Sequence, residues 1–429
     1  MSKPSLAALT RAFLRIGWLS FGGPAGQIAL MQRDLVEARG WVEQSAFLRA
    51  LNFAMLLPGP EAQQLATWCG WRLHGVRGGL IAGGLFVLPG ALVMALLTLG
   101  YLHFGALPLV QALFYGVQAV VLAVVAQALL RVARRALVGF HGWALAISAF
   151  IALFFFDAPF PLVVVSAGLV GAWRGLSHAQ VAVELPPASW RKSLATALGW
   201  GAIWAAPIVL AALWLGPQHP LTQLGSFFAR MAAVTFGGAY AALSYVAQHA
   251  VEGQGWLTPV QMLDGLGLAE TTPGPLVLTF QFVGGIAVAG FSGPWPHWAG
   301  PWLGMAMVLW VTFAPSFLWI FTLAPHLDRL TARPGLAAAL AAITAAVVGV
   351  MANLALWFAL HVLFANVGAV HIGLVRLWVP SGSFEWPAAM LALAALVLLT
   401  RTRIGMGAVI ALGALAGVLL AQPWQAVPI

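Results

Sequence analysis

Apolar runs fill this chain from end to end. They fall at 12–31, 80–100, 107–130, 141–157, 160–175, 194–216, 227–248, 300–324, 335–361, 386–400 and 404–421. Each is about long enough to cross a hydrocarbon core ~30 Å thick, with 141–157 and 160–175 at the short end. Two further stretches, 43–75 and 258–290, are less apolar and are cut in the middle by Pro58-Gly59-Pro60 and Pro273-Gly274-Pro275. Proline removes a donor and breaks the helical ladder, so neither stretch continues as one helix. Each is either one crossing built of two half-helices or a re-entrant hairpin.

Charge favours the single crossing. With the N-terminus cytoplasmic, one side collects Arg72 and Arg77; Arg131, Arg134 and Arg135; Arg174, Arg191 and Lys192; Arg329 and Arg333; and Arg401 and Arg403. The opposite loops, 101–106, 158–159, 217–226, 291–299 and 362–385, are poor in Lys and Arg, with Arg376 the main exception. This is the positive-inside pattern. The loop 32–42 departs mildly from it, since Arg33 and Arg39 sit there beside Asp34 and Glu37. The expectation is an all-α polytopic membrane protein of about 13 transmembrane segments.

The chain also repeats itself. Phe21-Gly22-Gly23 recurs as Phe236-Gly237-Gly238, Gly40-Trp41 as Gly255-Trp256, and the first Pro-Gly-Pro as the second, each 215 residues on. At that offset 14 of the 50 positions from 21 to 70 are identical, and the motifs stay in register without a gap. The expected domains are a first repeat over 1–178, a linker over 179–219 with one transmembrane helix, and a second repeat over 220–429. An even number of crossings followed by one linker helix flips the second repeat. Inverted repeats of this kind are the usual frame for alternating access around a site at the midplane.

Composition agrees with the pattern. Apolar residues make up 62% and charged residues 7%, against roughly 45–50% and 25% in soluble proteins. The net charge of +9 would suggest nucleic acid in a soluble protein. Here it lies in short loops and speaks for topology and anionic headgroups. Cys69 is the single cysteine, so no intrachain disulfide forms and the redox compartment stays open. The N-terminal stretch lacks a clean apolar core and cleavage site and reads as part of the mature protein. No metal-ligand spacing, nucleotide-binding loop or nucleophile elbow occurs. The expectations are therefore no enzyme, no cofactor, no metal and no nucleic acid.

In hydrocarbon, backbone that leaves the helix must be buried or line a wet cavity, and equivalent broken helices in two halves point to a binding site. The new half-helix after each Pro-Gly-Pro offers free N–H groups and a positive dipole end, which suits an anion. Candidate substrate or coupling residues are Pro58, Gly59, Pro60, Glu61 and Gln64 in the first repeat, and Pro273, Gly274, Pro275 and Gln281 in the second. Asn52 and Glu270 precede the breaks. Gly22, Gly23, Gly237 and Gly238 break helices in the same way and allow close backbone approach. Arg49, whose repeat partner is Asp264, either faces the cavity or snorkels to the interface. A carboxylate within the bilayer marks a pathway or a proton relay, and Glu61 and Glu270 are the sharpest choices. The plainer readings are that Glu61 caps its half-helix and that each Pro-Gly-Pro is a tight turn at the membrane surface.

The motifs Ser20 through Pro24, Gly40-Trp41, Leu57-Pro58-Gly59-Pro60-Glu61-Ala62 with Gln64, and Leu88-Pro89-Gly90 resemble the chromate ion transporter family in its long, two-domain form. In the second half the resemblance runs over Phe236-Gly237-Gly238, Gly255-Trp256 and Thr272-Pro273-Gly274-Pro275. It implies a transporter of a bacterial plasma (inner) membrane that exports chromate and confers chromate resistance. The first reading is accordingly a secondary transporter exporting chromate or a similar oxyanion, with exchange for protons as one mode of coupling. The implied partners are chromate or sulfate, the lipid bilayer and a second copy of the chain as a homodimer. A sulfate-type anion permease or channel is the competing reading, and an integral membrane enzyme a weaker one. The chain departs from the family's pattern at Gln27, Met55 and Ala239, which bears on the substrate more than on the fold.

Overall fold

The computed structural model describes residues 4–176, 190–236, 238–291, 294–331, 333–402 and 404–420. The chain is a polytopic helical protein. It forms two compact units, each assembled from three stretches of sequence. They cut across the expected domains 1–178, 179–219 and 220–429, since each unit takes segments from both repeats. The linker residues 177–189 lie outside the described residues.

The first unit contains residues 1–96, 168–242 and 272–340. Its helices are α1 (Leu6–Leu19), α2 (Gly23–Met31), α3 (Gln44–Ala54) and most of α4 (Glu61–Phe104), with the end of α7 (Phe160–Leu176). It further holds α8 (Trp190–Leu215), α9 (Pro220–Val234), the start of α10 (Ala239–Ala247), α12 (Thr279–Ala289), α13 (Ala299–Leu323) and α14 (Leu327–Thr331). The start of α15 (Pro334–Leu363) completes it. The second unit contains residues 97–167, 243–271 and 341–429. It holds α5 (Pro108–Ala136), α6 (Gly139–Phe156), α11 (Pro259–Thr271), a hairpin of β1 (Phe364–Ile372) and β2 (Val375–Phe384), α16 (Trp386–Arg401) and α17 (Met406–Leu420). Among the described residues, six helical segments are long and apolar enough to span a membrane: Glu61–Phe104, Pro108–Ala136, Gly139–Phe156, Arg191–Leu215, Ala299–His326 and Gly335–Leu363. Phe160–Gly175, Trp386–Arg401 and Met406–Leu420 are shorter apolar helices.

Within each unit, helices meet at small residues. A β-carbon on Gly284 would strike Gly304 of α13, and one on Gly116 would strike Gly413 and Gly417 of α17. Lipid offers no hydrophobic drive for helix association, so close backbone approach supplies the contact instead.

The breaks lie where the motifs put them, and one further interruption, inside α4, was not expected. The apolar run 12–31 is interrupted at Ser20–Gly22 between α1 and α2. Its equivalent is interrupted at Thr235–Gly238 between α9 and α10; Gly237 lies outside the described residues. The helix after the first Pro-Gly-Pro is itself interrupted at His74 and Gly75, where Gly75 turns to φ +62°. The two repeats share their local geometry closely. α2 and α10 each run into a wide π turn, at Gln32–Ala38 and Gln248–Gly253. These turns close with Trp41 N–H on Leu35 O at 2.9 Å and Trp256 N–H on Ala250 O at 2.7 Å, pairs that are 215 residues apart.

Contacts inside the units contradict the single-crossing expectation. That expectation sends Arg49 and Asp328 to opposite membrane faces, yet Arg49 Nε lies 4.0 Å from Asp328 Oδ1 in the first unit. In the second unit it separates Glu252 from Asp157 and Arg376, yet Arg376 bridges both, at 2.7 Å to Glu252 and 2.9 Å to Asp157. It also separates Tyr101 from Asp264, which are hydrogen-bonded at 2.8 Å. Sequence charge counting did not reveal this because the Phe-Gly-Gly element, though expected to break, was counted as one crossing. Two consecutive broken elements that both cross, or both turn back, leave every later segment on the same side.

The loop expected at 362–385 is the antiparallel hairpin β1–β2, turning at Gly373 (φ +62°) and Leu374. Arg376, the exception in the charge pattern, is only 6% exposed and also donates to Leu153 O at 3.1 Å. Its charge is cancelled by two carboxylates, so it does not count as a free loop cation.

Candidate functional site

In each Pro-Gly-Pro the prolines carry no N–H, so the glycine holds the only backbone donor. Both glycines use it in the same way. Gly59 donates to Thr235 O at 3.0 Å, and Gly274 donates to Ser20 O at 2.7 Å. Ser20 and Thr235 immediately precede the two Phe-Gly-Gly motifs and are themselves repeat partners. Each Pro-Gly-Pro turn is therefore pinned to the Phe-Gly-Gly break of the other repeat. The acceptors are fixed alike: Ser20 Oγ donates to Ile16 O at 2.6 Å and Thr235 Oγ1 to Met231 O at 2.7 Å. Gly59 (φ +113°) and Gly274 (φ +100°) occupy backbone that L side chains rarely adopt.

These turns surround one pocket in the first unit, with about 470 Å³ of empty space, mouth included. First-turn residues of four helical segments line it: Pro24 of α2, Glu61 and Ala62 of α4, Ala239 of α10, and Leu276 and Val277 of the short 3₁₀ turn that leads into α12. Gly59, Pro60, Gly238 and Pro275 line it from the breaks. The rest is mainly apolar, with Met231, Ala232, Ala242 and Phe280. Polar side chains enter from Gln27, Glu61, Thr235 and Thr312. No lysine or arginine is among the lining residues. The first N–H groups of a helix lack intrahelical acceptors and carry roughly half a positive charge between them. Four such starts around an apolar pocket make a positive potential without a full cation.

Two polar atoms in this lining have no protein partner among the described residues: Gln27 Oε1 and Thr312 Oγ1. The amide of Gln27 is held by donation to Gly274 O at 2.6 Å, so its other end is fixed. Glu61 has no cation within salt-bridge distance among the described residues.

Several sequence candidates lie elsewhere. Arg49 is 56% exposed beside Asp328, and Asn52 is exposed on α3; neither lines the pocket. Of the two alternatives for Arg49, the structure places it on the exposed face of α3. Gln64 is buried and donates to Pro58 O at 2.7 Å, so it braces the turn. Gln281 is buried and donates to Ala91 O at 3.0 Å. Pro58, Pro273, Gly274, Gly22 and Gly23 shape the breaks without lining the pocket. Glu270 is buried on α11 and belongs to the second unit. Gln27, Thr235 and Thr312 line the pocket and were not among the candidates. Thr235 had a signal, a hydroxyl residue placed before Phe-Gly-Gly just as Ser20 is. Thr312 had none, being one hydroxyl in a long apolar run.

The family profile described as chromate transporter matches residues 7–172 and 222–418. The two matches begin 215 residues apart, the offset of the motifs. A chromate transport protein of Pseudomonas aeruginosa is 34% identical over 354 residues, covering 82% of this chain and 80% of that protein. A probable chromate transport protein of Synechococcus elongatus is 31% identical over 351 residues, covering 81% and 83%. A chromate transport protein of Cupriavidus metallidurans is 31% identical over 356 residues, covering 80% of each. No solved structure matches the chain.

Proposed function

This chain belongs to the chromate transporter family, and we propose that it exports chromate or a similar tetrahedral oxyanion across the plasma (inner) membrane as a secondary carrier. The observation that carries the reading is the pocket bordered by four helical starts and no basic side chain. A dianion held by backbone N–H groups and helix dipoles is bound without a permanent cation that would hold it too tightly to release. The membrane potential supplies a drive, since a dianion leaving a negative interior gains about 4.6 kcal/mol per 100 mV.

The architecture we infer has nine crossings: the second part of α4, then α5, α6, α7, α8, α13, α15, α16 and α17. The pairs α1–α2, α3 with the first part of α4, α9–α10 and α11–α12 are four re-entrant hairpins. Arg49 pairs with Asp328, which supports hairpins that return to their own face. Every lysine and arginine except Arg230 and Arg376 then falls on one side, a cleaner positive-inside pattern than single crossings give. Four crossings and a linker helix leave the second repeat inverted. Glu61 is the gate: its carboxylate repels a dianion, so a proton on Glu61 and the anion in the pocket favour each other's binding.

The test is purified protein in liposomes under an imposed membrane potential, with radiolabelled chromate and sulfate in competition. Potential-driven chromate flux, inhibited by sulfate only in excess, is the expected result. Flux of sulfate alone would move the chain to the permease reading, and no flux of either would refute transport of oxyanions.

A further inference from the structure

The second unit holds a buried carboxylate that the anion pocket does not use. Asp264, on α11, is 3% exposed. Tyr101 Oη donates to its Oδ2 and Gln118 Nε2 to its Oδ1, each at 2.8 Å. Both partners are neutral, and no lysine, arginine or histidine lies within salt-bridge distance among the described residues. An ionised carboxylate buried on neutral donors alone is costly, and an intramembrane acid without a cation is a functional candidate by default. A cation partner would have made it structural; compare Arg376, clamped between Asp157 and Glu252 in the same unit.

The neighbours allow both protonation states. A phenol O–H donates to the carboxylate, and after protonation it rotates and accepts from the acid, so the pair stays bonded. The Gln118 amide donates to the other oxygen in either state. Among the described residues, no other ionisable group of the surrounding elements bonds to Asp264. α17 carries none. On α5, Tyr115 bonds to Glu385, and Arg131, Arg134 and Arg135 stand about 20 Å along the helix from Gln118. Near the end of α4, His103 is exposed and packs on Phe104. Glu270 lies on α11 itself, about 9 Å further along. α11 also packs tightly on α5, since a β-carbon on Gly267 would strike Val117.

We propose that Asp264, seated on Tyr101 and Gln118, is a proton-binding site that sets the pH dependence of transport from the face opposite the basic clusters. The inference rests on the transport reading, and goes beyond it by naming a titrating group apart from Glu61. The proton balance is simple: one proton from that aqueous face binds the carboxylate and leaves again as the cycle turns. The helix that carries Asp264 runs in sequence straight into the second Pro-Gly-Pro, the turn that shapes the pocket.

Everted membrane vesicles test it, because their lumen is that face. Wild-type protein should take up chromate several-fold faster when the lumen is made acidic. Asp264→Asn should lose this stimulation while keeping chromate counterflow between equilibrated compartments, and Asp264→Glu should restore it. Stimulation that survives in Asp264→Asn overturns the proposal, as does a folded Asp264→Asn protein that loses counterflow as well. Should Asp264→Asn fail to fold, Tyr101→Phe is to be used: a shifted pH midpoint supports the site and an unshifted one refutes it. An infrared difference spectrum of purified protein between acid and alkaline buffer stands apart from transport. The carboxylic-acid band should be weaker in Asp264→Asn, and an unchanged band overturns the proposal. Wild-type vesicles that take up no chromate at either pH would instead sink the transport reading and leave the infrared result to decide on Asp264.

Discussion

Two charged residues of the first repeat, Glu61 and Arg49, were both candidates in the sequence, Glu61 the sharper, and the structure places them differently. Glu61 lines the pocket at one of its four helical starts, whereas Arg49 stands exposed beside Asp328. Glu61→Gln imitates the protonated acid, so it should still bind chromate but lower turnover by about 100-fold, roughly 2.7 kcal/mol in barrier. Binding by calorimetry and uptake into vesicles check the two parts separately. A residue that merely caps α4 would cost ~0.3–1 kcal/mol of stability and leave turnover intact. Arg49→Ala should leave the half-saturating chromate concentration unchanged, as an exposed ion pair contributes only ~0–1 kcal/mol. Glu61 was legible because a carboxylate after a helix break at membrane depth has few reasons to exist. The facing of Arg49 was not, since snorkelling and cavity lining look alike until α3 is given an orientation.

The breaks themselves were legible to the residue. Pro-Gly-Pro and Phe-Gly-Gly are local instructions, enforced by a missing donor and by a backbone only glycine tolerates. What the sequence withheld was their pairing across the repeats: Gly59 on Thr235 and Gly274 on Ser20 join positions far apart in sequence through backbone atoms. Backbone partners leave no side-chain trace, apart from the hydroxyl that both acceptors carry. The reciprocal bonds make the four breaks, all in the first unit, interdependent, each bond contributing about 0.5–1.5 kcal/mol. Gly274→Ala places a β-carbon 3.1 Å from Leu278 Cδ1 at φ +100°. It should lower stability by roughly 1–2 kcal/mol or more through strain alone. Gly84, inside α4 with nothing within 4 Å of where a β-carbon would stand, is the control. Gly84→Ala should be neutral or gain up to about 1 kcal/mol. Melting curves in one detergent compare the two, and equal midpoints would deny the turn its special backbone.

At the scale of the molecule, the parity of the chain decides where its charges go. The hydrophobic runs cover the nine helices proposed to cross, but the two short apolar halves of each proposed hairpin together imitate one crossing. A count that treats both broken elements of a repeat as crossings agrees with the hairpin count everywhere except between them. That is why the charge clusters after α4 could not discriminate, and why the residues inside the broken region can. Single cysteines at 49, 134, 218 and 254, with Cys69 replaced, give a direct test. All four native positions are exposed, so a membrane-impermeant maleimide can reach each from whichever side it faces. Re-entrant hairpins require positions 49 and 134 to label from one side, and 218 and 254 from the other. Single crossings require 49 to label with 218, and 254 with 134. Positions 134 and 218 behave the same in both schemes and serve as markers of vesicle orientation. If 49 labels with 218, the hairpins are wrong, and the contacts Arg49–Asp328 and Arg376–Glu252 would have to be broken in the membrane-embedded protein.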